Sequence, residues 1–164
     1  MVWRCCVVVM SLLGCGACAS VISDDVRRTV NPQVSFAQIA ADPAGYTGTL
    51  ALLAGTIIEA TNLREGTRLA ILQYPTGSRD RPLTDRLSGG RFLLLAPGYL
   101  ETAVYRPGRA ITVVGEVRGQ QVLPLDDTTY RYPLLVPREL YLWREGYDIP
   151  RFHIGFGLGF STGF

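Results

Sequence analysis

Leu50-Ala-Leu-Leu-Ala-Gly-Thr-Ile-Ile58 carries no charge and is interrupted by a single glycine. It reads as a long β-strand in which Gly55 marks a bulge or a bend. The sequence that follows keeps the same character. Residues 62–66 turn the chain, and 67–74 continue as a second strand. Residues 75–90 form a long polar loop. A third strand is expected at 91–95 and a fourth at 110–117, where Gly119 helps turn the chain into 120–125. Residues 130–142 supply the last pairing, and Pro133 and Pro137, which cannot donate to a sheet ladder, mark it as an edge. Upstream, Ser35-Phe-Ala-Gln38 has the spacing of a capping box and opens a short helix whose apolar face is Phe36, Ile39 and Ala40. Asp42-Pro-Ala-Gly45 stops it. Asp24-Asp25-Val26-Arg27-Arg28 forms one further helical turn, with acids first and arginines last as the helix dipole prefers. The chain is therefore mainly β, with a bent first strand and one short N-terminal helix ahead of the sheet. Five or six strands of this kind make a small closed barrel, and an OB-like barrel is the natural candidate.

The cysteines tell a separate story. All four lie at or before Cys18, so no disulfide can staple the expected barrel. Cys15-Gly-Ala-Cys18 has the spacing of half a zinc knuckle or of a redox pair. A structural zinc site wants four ligands, however, and the one histidine is His153, near the other terminus. No metal site and no cofactor is expected. Taken together, Arg4, the uncharged run 5–13 and the small residues after it form a secretory signal peptide, too short to remain as a membrane-spanning helix. Leu12-Leu13-Gly14-Cys15 resembles a bacterial lipobox, with an aliphatic residue three before the cysteine and a small one just before it. Such a site is cut ahead of the cysteine, whose sulfur carries a diacylglycerol and whose new amino group is acylated. Cys18 is the alternative, preceded by Gly16 and Ala17 but with Cys15 three residues back. One buried acyl chain binds a membrane only reversibly, whereas three chains of about fourteen methylenes, at about 0.8 kcal/mol each, hold it there.

Cleavage before Cys15 removes 14 of the 164 residues and leaves 150, enough for one domain with a real core. No later segment offers eighteen uninterrupted apolar residues, so attachment is by lipid and not by a span. The expected organisation is a signal peptide at 1–14, a lipidated tether at 15–33, the barrel at 34–143 and a Gly/Phe-rich tail at 144–164. Sixteen basic residues, all arginine, face fourteen acids, and they are scattered. No basic run marks a nucleic-acid face.

Several stretches invite a chemical reading. His153 lies in a Gly-Phe tail with no carboxylate or thiol near it in sequence, and reads as an exposed tail residue. Adjacent acids in a strand point to opposite faces, so Asp126-Asp127-Thr-Thr reads as a solvated loop and not as a cation site. Ser88-Gly-Gly-Arg91 lacks the lysine and the helix of a phosphate loop and reads as a turn. Arg131, between Tyr130 and Tyr132 and near Trp143, either packs across a half-buried sheet or stacks on aromatics to bind an anion or a glycan. In the tail, Phe156, Leu158 and Phe160 alternate with glycines and the chain ends on Phe164. This is either a flexible Gly-rich tail or a strand offered to a partner's sheet or to the membrane interface. The candidate partner-binding residues are thus Arg131, Trp143, Phe156, Phe160 and Phe164. No catalytic set of nucleophile, base and oxyanion donor is recognisable.

An ordered series of short stretches also resembles the Slp family of outer-membrane lipoproteins. It begins with Asn31-Pro32 and Ser35-Phe36, followed by Leu53-Ala-Gly-Thr-Ile-Ile-Glu59 with Thr61-Asn-Leu63. It continues through Asp85-Arg-Leu-Ser-Gly-Gly-Arg-Phe92, Gly98-Tyr-Leu-Glu101 with Tyr105, and Gly108-Arg-Ala-Ile-Thr-Val-Val-Gly115. Tyr130-Arg-Tyr-Pro133 and Leu142-Trp143 close it. The resemblance implies an outer-membrane lipoprotein that faces the periplasm and is linked with starvation and stress. It implies no assigned enzymatic activity, so it brings no catalytic residues. In agreement, neither Gly16 nor Ala19 is the aspartate that retains lipoproteins at the inner membrane. The expected function is a non-enzymatic envelope module whose partner is another envelope protein, peptidoglycan or a small ligand. The alternative is an envelope hydrolase or other enzyme whose site is assembled only in three dimensions.

Overall fold

The computed structural model describes residues 20–145. Residues 1–14, read from sequence as a signal peptide, lie outside the described residues, as do Cys15, Cys18, His153, Phe156, Phe160 and Phe164. Two short helices, α1 (Asp24–Arg27) and α2 (Phe36–Ala41), precede five strands: β1 (Leu50–Leu63), β2 (Gly66–Tyr74), β3 (Gly90–Pro97), β4 (Ala110–Leu125) and β5 (Thr128–Leu142). The strands close into a barrel in the order β1-β2-β3-β5-β4, the OB-like barrel expected.

β1 makes closure possible by serving two neighbours. Its first half pairs with β4 from Leu50 to Thr56, and its second half with β2 from Ala54 to Leu63, so both partners are held across residues 54–56. Gly55 sits in this overlap. A Cβ there would lie 2.3 Å from the Leu72 carbonyl oxygen, so only glycine lets the backbones come this close. The bulge itself lies further on, where the register shifts between Ile57 and Glu59. The close approach at Gly55 and the bulge are therefore separate features.

The other side of the barrel departs from expectation. Residues 110–125 are one strand, not two. Gly119, with φ of 103°, takes up a register shift between Val117 and Gln120 instead of turning the chain. The turn is at Asp126-Asp127, where Asp126 adopts a left-handed φ of 51°. Nor is β5 an edge. It runs antiparallel to β4 along almost its whole length and meets β3 in parallel through Leu93–Leu134 and Leu94–Leu135. Its prolines are accommodated beside irregularities of the ladder, Pro137 opposite Gly115 and Pro133 opposite Gln120, where the register shifts.

Strand alternation fills the interior. Ala51, Leu53 and Ile57 of β1, Leu69 and Ile71 of β2, Phe92 and Leu94 of β3, Ile111, Val113 and Val117 of β4 and Leu135 of β5 form one buried cluster. Helix α2 seals it with Phe36 and Ile39, and the Phe36 and Phe92 rings meet at a centroid distance of 5.9 Å. The capping box is present: the Gln38 amide donates to Ser35 Oγ at 3.3 Å, and the Ser35 amide donates to Gln38 Oε1 at 2.8 Å.

Candidate binding site

Because a strand's side chains alternate, the residues that do not fill the barrel face outward, and the outer surface is furnished in two different ways. On β4 and β5 it is covered. Thr112 and Val114 of β4 point away from the core cluster yet are fully buried. The cover comes from the 75–90 loop and from the chain just before α1. Thr112 Oγ1 donates to the Asp80 carbonyl oxygen at 2.7 Å, and Trp143 Nε1 donates to Thr112 Oγ1 at 2.9 Å. The Asp80 carboxylate accepts from the Ser20 hydroxyl and pairs with Arg27. Three residues after Ser20, the Ser23 amide and hydroxyl donate to the Glu139 carboxylate at 3.0 and 2.6 Å. Between these two attachments Ile22 is 1% exposed. Residues 20–28, read from sequence as tether, are thus clasped onto the barrel. Asp80 holds a left-handed φ of 64°, which turns its carboxylate and carbonyl toward different partners. A cleft of about 540 Å³ opens beside the clasp, but its two arginines are already engaged, Arg27 by Asp80 and Arg28 by Asp25.

The outer face of β1, β2 and β3 is furnished differently. The end of the β4–β5 hairpin arches over it. Gln121 lies opposite Tyr132 and Leu123 opposite Tyr130, so Leu123, Tyr130 and Tyr132 share the inner face of the hairpin. The two tyrosine rings meet edge to face at 4.6 Å, and Tyr132 is 5% exposed. Under this arch is a pocket of about 170 Å³. Leu93, Leu123 and Tyr132 supply apolar walls, while Glu59 and Thr61 of β1 and Arg68 of β2 supply the polar side. Thr61 stands directly opposite Arg68, and Glu59 stands opposite Ala70, so the acid and the guanidinium are diagonal neighbours. Glu59 Oε1 accepts the Thr61 hydroxyl at 2.8 Å. Among the described residues Arg68 has no ion pair or hydrogen bond through its side chain.

The structure separates the two sequence-derived residues that it describes. Arg131 is opposite Val122, which is 55% exposed, on the solvent face of the hairpin and away from the pocket. Trp143 is at the other end of β5, where its amide donates to the Ala110 carbonyl at 2.9 Å and its ring is buried. The cation over Trp143 is Arg81, 5.0 Å from the ring centroid, and Tyr141 packs edge to face against the same ring. Glu59 and Arg68 were missed in the sequence because each is an ordinary outward charge on its strand. The available signal was the alternation of Tyr130 and Tyr132 in a hairpin longer than the barrel needs. Among the described residues no group of three or more His, Cys, Asp or Glu side chains is arranged to hold a metal ion. No helix among them is long and apolar enough to cross a membrane, which leaves open what strands do.

Residues 15–155 match the family model described as the outer membrane lipoprotein Slp family. The chain belongs to that family. The Slp assignment covers both outer faces of the barrel and places the protein with the outer membrane. A protein of Haemophilus influenzae, described as uncharacterized, is 29% identical over 101 residues, which are 60% of this chain and 55% of that protein. The Slp chain thus spans about half the length of this curated relative. Among solved structures, the mitochondrial single-stranded DNA-binding protein Rim1 of S. cerevisiae aligns over 59% of this chain and 96% of its own, at 15% identity and a TM-score of 0.37. A small single-stranded DNA-binding protein from Streptomyces coelicolor aligns over 57% and 93%, at 12% identity and a TM-score of 0.35.

Proposed function

We propose that this Slp-family protein is a non-enzymatic binding module held to the outer membrane by acyl chains on Cys15, with its barrel in the periplasm. The observation that carries this reading is the family match, which starts at residue 15, the cysteine of Leu12-Leu13-Gly14-Cys15. The clasp supports it. Five residues of extended chain reach about 17 Å at roughly 3.4 Å each, so an anchor at Cys15 keeps Ser20 and the barrel close to the membrane surface. The hairpin pocket supports the binding role, since it is a partly enclosed space in which the polar side chains of Glu59, Thr61 and Arg68 converge opposite Leu93, Leu123 and Tyr132. The link with starvation and stress implied by the family resemblance gives the setting in which such a module acts.

Intact-mass analysis of protein extracted from outer membranes tests the anchor. The expected product starts at Cys15 and carries three acyl chains. The same modification on Cys18 moves the anchor by one short step, and an unmodified terminus at a later residue removes it. Protease added to whole cells and to cells with permeabilised outer membranes tests orientation, with cleavage expected only after permeabilisation. Turnover of an envelope substrate by the purified protein would refute the non-enzymatic reading.

A further inference from the structure

We infer that the pocket beneath the β4–β5 hairpin binds an α-amino carboxylate, with its carboxylate on Arg68, its ammonium on Glu59 and its side chain against Leu93, Leu123 and Tyr132. The inference deepens the reading of the barrel as a binding module and does not depend on the lipid anchor.

Size sets the first limit. An apolar cavity of about 150 Å³ accepts a molecule the size of benzene. The pocket's 170 Å³ therefore suits a ligand, or the end of one, comparable to a small amino acid. Charge sets the second. Glu59 and Arg68 are diagonal neighbours on paired strands, a spacing at which long opposite charges ordinarily meet. Here they do not: the glutamate takes a neutral hydroxyl from Thr61, and the guanidinium has no partner among the described residues. Both line the same small space, overhung by Leu123 and Tyr132, with Glu59 exposed and Arg68 half-buried. A ligand with only a carboxylate satisfies Arg68 but is set against Glu59, and one with only an ammonium meets the reverse conflict. A group that carries both charges on one carbon satisfies both residues at once. The guanidinium fork suits a carboxylate in particular, because it offers two parallel donors. The remaining wall is Leu93, which is 1% exposed, with Leu123 and the Tyr132 ring, and it calls for an aliphatic side chain.

The chemistry has two sources in the envelope: free amino acids, and the α-amino carboxylate displayed on a peptidoglycan stem peptide. The test uses the full-length acylated protein in detergent. Calorimetric titration with L-leucine, L-alanine and D-alanine is compared with isovalerate and isopentylamine, which carry one charge each on a similar hydrocarbon. The expected result is saturable binding of at least one amino acid, with both single-charge analogues at least about tenfold weaker. Arg68→Gln weakens the amino acid by about tenfold or more, as loss of a charged hydrogen bond does. Glu59→Gln weakens the amino acid similarly but leaves isovalerate unchanged or tighter, a reversal that general damage to the fold does not produce. Co-sedimentation with purified sacculi, displaced by the free amino acid, assigns the wall as source; binding of free amino acids without co-sedimentation assigns the soluble pool. The inference is overturned if no amino acid binds at millimolar concentration, if a single-charge analogue binds as tightly, or if both variants bind like the parent. An acylated protein that binds nothing loses only the pocket, whereas a binding protein without acyl chains loses only the anchor.

Discussion

The two outer faces of this barrel use the same kinds of residue to opposite effect. On the clasp face, acids are consumed by the fold: Asp80 is tied to Ser20, Arg27 and, through its carbonyl, Thr112, while Glu139 holds Ser23. On the hairpin face, Glu59 and Arg68 stand within reach of each other and stay apart. Charges that bridge segments distant in sequence hold the chain in shape. Charges that share a pocket wall without pairing bridge no segments of the fold. This difference orders the experiments below.

The largest effect is expected in the interior that both faces share. Phe92 is fully buried and meets Phe36 where α2 seals the barrel. Phe92→Ala should cost about 3–5 kcal/mol, as large-to-small changes in a packed core do. Urea denaturation should show a lower midpoint with an unchanged slope, and signals from both faces should be lost together. A midpoint that stays in place would mean that the two faces do not rest on one core.

The strands were legible in the sequence because each is an apolar stretch bounded by turn residues; which of their side chains fill the interior follows from the pairing register. The capping box of Ser35 and Gln38 was legible because its partners are three residues apart. What escaped was decided by pairing between distant segments. Gly119 looked like a turn because a positive φ serves a bulge as well as a hairpin. Pro133 and Pro137 looked like an edge because the register shifts that shelter them exist only once β4 has paired with β5. Asp80 lay in a stretch read as a polar loop, and only its contacts with residues 20, 27 and 112 bury it. The pocket charges had no local signature, since Glu59 and Arg68 become neighbours through the β1–β2 register alone.

The next effect tests the clasp. Asp80→Asn keeps the size of the side chain and a residue that tolerates the left-handed backbone, so it isolates the charge. The side chain of Asp80 is 11% exposed and that of Arg27 42%, so water recovers part of what Arg27 loses. The expected cost is about 1–2 kcal/mol. Hydrogen exchange of residues 20–28 should rise while exchange in β1 and β2 stays constant. Uniform change across the barrel would show that Asp80 supports the fold generally and not the clasp.

A smaller change follows at the second attachment of the same segment. Glu139→Ala removes the acceptor for the Ser23 amide and hydroxyl, which are exposed. Water can replace it, so the loss should be below about 1 kcal/mol. Combined with Asp80→Asn, it should release residues 20–28 by more than the sum of the single changes, because either attachment alone still holds Ile22 in place. Strict additivity in hydrogen exchange would show that the two attachments act independently.

The smallest effect on stability belongs to the hairpin face, and it separates the two faces most sharply. Arg68 makes no side-chain ion pair or hydrogen bond among the described residues, and Glu59 accepts only the hydroxyl of its neighbour Thr61. Removing either charge therefore breaks no bridge between segments. Surface changes of this kind usually stay within about 0.5 kcal/mol. Arg68→Gln also retains most of the aliphatic stem that lies along the pocket wall, so little packing is lost. Urea midpoints of Arg68→Gln and Glu59→Gln should coincide with that of the parent, even as amino acid binding falls by tenfold or more. Stability and binding would then respond to different residues, Asp80 moving the first and Arg68 the second. A destabilisation by Arg68→Gln as large as that of Asp80→Asn would erase the distinction: the guanidinium would be another clasp, and the pocket only the space beside it.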